Sequence, residues 1–226
     1  MLFFDLDDTL LDHRGAQDKA AIAWHRELGT VPHPEANFPL VWHEAATRNW
    51  AAYTRGAISF IEQRRRRIRE VLREPELSDL SADEHFARYL AHYEANWQLF
   101  PDVLPALQLL EGQRLGVLTD GDGEQQTRKL ARLGLKDAFE VVVVLSGNGP
   151  RKPSPAAFKL AAQHAKVHAL ECLYIGDKIE NDAVAARAAG WRGVWLDRTG
   201  VMIAPPGIER IGSLLDVPFL LGDKRF

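Results

Sequence analysis

The sequence predicts an α/β protein, with a parallel sheet covered by helices on both faces and a long helical insertion after its first strand. Three observations carry this. The chain opens with a short apolar run, Met1-Leu2-Phe3-Phe4, that breaks at once into Asp5-Leu6-Asp7-Asp8-Thr9-Leu10. That is how a buried strand reads where its carboxyl end opens into a polar crevice, the place where open α/β sheets hold ligands. From about residue 15 to 98 the pattern is helical with no strand-like run, and beyond residue 99 short apolar runs alternate with helical stretches. Such alternation is the mark of parallel strands joined by crossover helices.

Taken in order, Gln17 to Leu28 carries apolar residues at Ile22, Trp24 and Leu28 and stops at Gly29, which predicts a helix. A loop punctuated by Pro32, Pro34 and Pro39 leads to a second helix over Val41 to Tyr53. Ser59 and Glu62, then Ser81 and Glu84, have the Ser-x-x-Glu spacing that satisfies orphan amides at a helix start. They predict helices over Phe60 to Leu72 and Ala82 to Trp97. After Phe100-Pro101 come apolar strands at Leu115 to Leu118, Val141 to Leu145, Leu173 to Ile175 and Gly193 to Leu196. Helices over Glu124 to Leu133, from Ala156 to about Ala165, and up to Gly190 separate them. The tail after Gly200 shows only a short helical turn near Ser213 to Leu215. The expected domains are therefore a core of residues 1–14 and 99–226 and an insertion of residues 15–98 above the carboxyl edge of the sheet.

Composition narrows the class. With 46% hydrophobic and 26% charged residues the 226-residue chain has the profile of a soluble globular protein. A net charge of −3 argues against a dedicated nucleic-acid partner, which would require a basic excess. The single cysteine, Cys172, forms no intrachain disulfide and fits a reducing compartment. No stretch approaches the roughly 18 apolar residues of a membrane span, and no signal peptide is evident. The expectation is a cytoplasmic protein without a membrane partner, either monomer or homodimer.

Alternation along the chain points Asp5 and Asp7 to one side, and like charges held that close call for a cation or a proton. Three further stretches end strands in the same way. Thr119-Asp120-Gly121 offers a hydroxyl and helix-start amides to an anion. Lys152 sits in the proline-braced loop Gly149-Pro150-Arg151-Lys152-Pro153-Ser154-Pro155. Gly176-Asp177-Lys178-Ile179-Glu180-Asn181-Asp182 adds carboxylates. Each alone also reads as something ordinary: Thr119 or Asp177 as a cap, Lys152 as a surface charge. Asp8 reads as a cap or solvent contact.

Asp-x-Asp-x-Thr at Asp5, Asp7 and Thr9, then Thr119, then Lys152, then Gly-Asp-x-x-x-x-Asp at Asp177 and Asp182, resembles the four motifs of the haloacid dehalogenase-like hydrolase superfamily. A helical insertion between the first two motifs is similar to its helical-cap group, which includes phosphatases of small metabolites and a phosphomutase. The resemblance implies a Rossmann-like core with a mobile helical cap and hydrolysis of a small phosphorylated metabolite through an aspartyl-phosphate. It implies Asp5 as nucleophile and Asp7 as the acid and base. It further implies Mg²⁺ held by Asp5, the Asp7 carbonyl and Asp177, with Asp182 orienting the ligands, and phosphate held by Thr119, Asp120 and Lys152. Asp120 stands where the superfamily often has Asn, which adds negative charge beside the phosphate.

Rival readings fit less well. A dehalogenase lacks the second motif carboxylate, so Asp7 speaks for a phosphatase. A receiver domain places its phosphoacceptor on a later strand, and an EF-hand starting at Asp5 would need Gly and Glu where Leu10 and Ala16 stand. Gly121-Asp122-Gly123 lacks the third glycine of a dinucleotide fingerprint, having Gln126 there. The run Arg64-Arg65-Arg66-Arg67 with Arg69 and Arg73 reads as a solvated, ion-paired helix, and Trp24, Trp42, Trp50 and Trp97 read as packing residues. A phosphomutase and a catalytically silent phosphate-binding protein remain as alternatives.

Overall fold

The computed structural model describes residues 1–147, 149–200 and 203–222. The chain divides into two compact units, one of Met1–Asp12 with Gln98–Phe226 and one of His13–Trp97.

The first unit is a six-stranded parallel sheet in the order β3-β2-β1-β4-β5-β6. Its strands are β1 (Leu2–Phe4), β2 (Leu115–Asp120), β3 (Val141–Leu145), β4 (Leu173–Gly176), β5 (Arg192–Leu196) and β6 (Glu209–Ile211). Phe4 pairs with Val117 on one side and Ile175 on the other, so β1 is central. Successive strands extend outward from β1 to β3, and the chain then returns to start β4 on the opposite side of β1. Such a reversal of direction opens a crevice at the carboxyl ends of the strands.

Burial on both faces explains why the inner strands β1, β2 and β4 are apolar without alternation up to their carboxyl ends. Phe3, Tyr174, Phe158 and Trp191 form an aromatic core, with Phe3 and Trp191 ring centres 5.0 Å apart and Phe158 and Trp191 at 5.4 Å. Burying a side chain such as Phe3 contributes about 1.5–3 kcal/mol. Gly116 lies beside Phe3, where an added Cβ would come within 2.6 Å of the ring. Gly193 on β5 lets a wide helical turn, Ile179–Val184, approach so closely that a Cβ would meet the Ala183 carbonyl at 2.0 Å.

The helices of this unit are α5 (Val103–Leu109), α6 (Gly123–Arg132), α7 (Pro155–Ala165), α8 (Ala185–Ala188) and α9 (Val217–Gly222). The sequence left α5 and the short edge strand β6 unassigned. The predicted turn at Ser213 to Leu215 is a 3-10 turn over Leu214–Asp216 that runs on into α9.

The second unit contains α1 (His13–Leu28), α2 (Phe38–Thr54), α3 (Phe60–Leu72) and α4 (Asp79–Ala95). Trp24, Trp42 and Tyr89 are buried at its centre, with Trp24 and Trp42 ring centres 5.4 Å apart. Ser59 caps α3 by accepting from the Glu62 amide at 3.1 Å. The expected cap at Ser81 is displaced by one turn: Ser78 is the cap, accepting from the Ser81 amide at 3.1 Å, and Asp79 opens the first turn where the helix dipole favours an acid. Of the arginine run, Arg65 pairs with Asp79 and Asp83, Arg66 with Glu62, and Arg69 with Asp79. Arg67 departs from that pattern. It is buried, hydrogen-bonded to Gln63 and stacked over Trp42, and burial lowers its pKa to about 10. No helix of the described residues is long and apolar enough to cross a membrane.

Candidate active site

Asp5 follows β1 directly, is 4% exposed, and its amide donates to the Ile175 carbonyl of β4 at 2.9 Å. The carboxylate is therefore carried on the two central strands. Lys152 reaches it from the loop before α7: Nζ donates to Asp5 Oδ1, Asp182 Oδ1 and the Tyr174 hydroxyl, each at 2.8 Å. An ammonium has three donors, and these contacts use all of them. Tyr174 in turn donates to the Leu118 carbonyl at 2.7 Å, which ties Lys152 to both β4 and β2. Burial opposes the charge on Lys152, but Asp182 and Asp5 overcome it and hold its pKa well above the ordinary value.

Asp177 follows β4, with its backbone carbonyl fixed by the Trp195 indole N–H at 2.9 Å. Asp182 lies in the wide turn and is fully buried; its Oδ2 accepts from the Lys178 amide at 2.9 Å. Gly176 makes room for it, since a Cβ there would come within 2.4 Å of the Asp182 carboxylate. Oxygens of Asp5, Asp177 and Asp182 lie within 4.8 Å of one another, so the cluster could hold a metal ion.

The electrostatics show the strain of that grouping. Burial raises the Asp177 pKa to about 8; Lys178 opposes the rise, while Asp5, Asp182 and Asp8 add to it. Burial also raises Asp5, with Lys152 opposing and Asp182 reinforcing. Asp177 Oδ1 is buried without a hydrogen-bond partner. A buried cluster of carboxylates with an orphaned oxygen and no sulfur or nitrogen donor suits a hard divalent cation such as Mg²⁺. Both oxygens of Asp182 are engaged by Lys152 and Lys178, which leaves it suited to orienting its neighbours.

Asp7 turns to a different set of partners. Its Oδ1 accepts from Lys129 Nζ at 2.6 Å and its Oδ2 from Gln126 Nε2 at 3.0 Å. Thr119 is buried at the end of β2, and its hydroxyl accepts from the same Gln126 amide at 3.0 Å. It is a strand residue, and α6 is capped instead by Asp122, which accepts from the Gln125 amide at 2.9 Å. Asp120 ends β2 with a pKa raised to about 6 by burial; Lys152 and Arg151 oppose the rise and Asp5 adds to it. Asp8 takes a left-handed conformation, φ 61°, which Asp tolerates better than most residues. Its charge reaches Asp177, so it is nearer the chemistry than the sequence suggests.

The sequence thus named Asp5, Asp7, Thr119, Asp120, Lys152, Asp177 and Asp182, and the fold brings them to adjacent strand ends. It missed Gln126, Lys129, Tyr174 and Lys178. Lys178 lies inside the Gly176 to Asp182 stretch, and Gln126 stands where a dinucleotide fingerprint would have its third glycine.

A family model for haloacid dehalogenase-like hydrolases matches residues 1–190. The chain belongs to that family. Among curated relatives, it is 30% identical over 251 residues to the phosphoserine phosphatase of Thermus thermophilus, covering 96% of this chain and 97% of that one. It is 39% identical over 84 residues to the glyceraldehyde 3-phosphate phosphatase of Pyrococcus abyssi, a match covering 37% of this chain and only 35% of the relative. The crystal structure of 2-haloacid dehalogenase from Pseudomonas syringae pv. Tomato aligns with TM-score 0.71 and 29% identity over 98% of this chain and 97% of that one.

Proposed function

We propose that this family member is a Mg²⁺-dependent phosphatase that hydrolyses the phosphomonoester of a small metabolite through an aspartyl-phosphate on Asp5. The observation that carries the reading is the pairing of two carboxylates two residues apart with separate surroundings. Asp5 is grouped with Asp177, Asp182 and Lys152, as a nucleophile that must meet an anion requires. Asp7 is held apart by Lys129 and Gln126 beside Thr119.

Asp5 attacking a phosphate faces repulsion of about 4 kcal/mol per charge pair at 4 Å and an effective dielectric near 20. Mg²⁺ held by Asp5, the Asp7 carbonyl and Asp177 would offset that repulsion. Lys152 keeps a positive charge on Asp5, while Thr119 and the amides after β2 receive the phosphate oxygens. Asp7 gives a proton to the leaving oxygen and takes one from the water that attacks the intermediate. The helical unit serves in this reading as the cap that selects the substrate and excludes water.

Asp7 is also what separates this reading from dehalogenation, in which the second carboxylate has no role. The test is hydrolysis of 4-nitrophenyl phosphate, expected to require Mg²⁺ and to stop with EDTA and in Asp5→Asn. Substantial activity in that variant, or release of halide from 2-chloropropionate by the wild type, would overturn the reading. A panel of phosphorylated metabolites, including phosphoserine and triose phosphates, then assigns the substrate, and intramolecular transfer without phosphate release would identify a mutase.

A further inference from the structure

Two side chains of α6 point inward at the site although a surface helix would place apolar residues there. Lys129 and Gln126 are each 1% exposed, and three residues apart they share one helix face. Burying an ammonium is costly unless it is paired, and the pairing here is with Asp7 at 2.6 Å. Gln126 is shared three ways: Nε2 lies 3.0 Å from Asp7 Oδ2, 3.0 Å from Thr119 Oγ1 and 3.2 Å from the Asp120 carbonyl. Gly121 leaves the space for it, as a Cβ there would stand 2.9 Å from the Gln126 amide carbon.

We propose that Lys129 and Gln126 are positioning residues that fix the Asp7 carboxylate beside Thr119, and that Lys129 serves above all the breakdown of the phosphoenzyme. The inference rests on the phosphatase reading and deepens it. In the first step an Asp5 oxygen bonds to phosphorus as the ester P–O bond breaks, its electron pair leaving with the ester oxygen. An aryl leaving group such as 4-nitrophenolate departs without a proton, so this step tolerates a displaced Asp7. In the second step water bonds to phosphorus and the P–O bond to Asp5 breaks, returning its pair to Asp5. The water's proton goes to Asp7, and orthophosphate leaves. That step needs the Asp7 oxygen aligned with the water, and alignment is what the clamp supplies. Misplacing such a group by about 1 Å costs about 100-fold.

The experiment is rapid-mixing hydrolysis of 4-nitrophenyl phosphate with Mg²⁺ by wild type, Lys129→Met, Lys129→Arg, Asp7→Asn and the Asp7→Asn/Lys129→Met pair. Lys129→Met is expected to release one nitrophenolate per enzyme in a burst and then turn over about 100-fold more slowly, without a higher KM. Lys129→Arg should recover part of the slow phase, and the double variant should match Asp7→Asn, because Lys129 acts through Asp7. Steady turnover within about twofold of wild type, a slowed rate without a burst, or a double variant about tenfold below Asp7→Asn would overturn the proposal. Should Lys129→Met fail to fold with Asp7 deprived of its ion pair, the neutral double variant compared with Asp7→Asn decides. A wild type that releases no phosphate sinks the phosphatase reading itself, whereas an active wild type with an unaffected Lys129→Met sinks only the clamp.

Discussion

The Lys152 ammonium and the Asp5 carboxylate stand 2.8 Å apart with both side chains only 5% exposed, and the same ammonium reaches Asp182 at 2.8 Å. One ammonium therefore bridges two buried anions. Lys152→Met removes that ion pair from both and should cost about 3–5 kcal/mol of stability as well as turnover. Urea unfolding beside the phosphatase assay checks this, and an unchanged unfolding midpoint would contradict the pairing.

The metal-free site should be linked to pH through Asp177. Its pKa is raised from 3.8 to about 8, so between those values the folded protein holds a proton that the unfolded chain has released. The stabilising contribution is present at low pH and is lost as pH rises toward about 8. In EDTA, the melting temperature of Asp177→Asn relative to wild type should therefore climb as pH goes from about 5 to 8. Mg²⁺ binding near pH 7 should release a proton, measurable by calorimetry in buffers of different ionisation enthalpy.

Asp120 predicts a second pH effect. Its pKa of about 6 makes the carboxyl neutral below that value, like an amide, and anionic above it, beside the proposed phosphate site. Asp120→Asn should match wild type near pH 5 and show a lower KM above about pH 7, where like-charge repulsion is removed. Parallel KM profiles across that range would show that Asp120 does not face the phosphate.

Gly176 is expected to be intolerant of any side chain. A Cβ would lie 2.4 Å from Asp182, so Gly176→Ala should displace that carboxylate, destabilise the protein by about 1–3 kcal/mol and lower turnover. Thermal melting and the 4-nitrophenyl phosphate assay together test it.

The strands were legible where the chain is apolar without interruption: β1, β2 and β4 lie inside the sheet with both faces buried, and the edge strand β3 is as apolar although its Val142 is exposed. β6 was not, since Glu209 and Arg210 give it the look of a loop and only Ile211 enters the core. The carboxylates at Asp5, Asp7 and Asp177 stood out because they end apolar strands. Lys129 and Gln126 did not, because on a helix with Glu124, Arg128 and Arg132 a further polar residue reads as solvated. Only the tertiary fold reveals which face of that helix turns inward. Arg67 was hidden in the same way among arginines that do meet solvent.

The central place of β1 also bears on synthesis. Its two sheet neighbours begin at Leu115 and Leu173, and the hydrogen bond from Lys152 to Asp5 spans 147 residues. A ribosome therefore delivers the acidic strand well before either of the two strands that flank it. The helical unit is contiguous from His13 to Trp97, so all the chain it needs is made before either neighbour of β1. A nascent chain arrested before β4 would leave Phe3 and Phe4 without half their sheet and Asp5 without its cation, a species for chaperones to shield rather than a smaller enzyme.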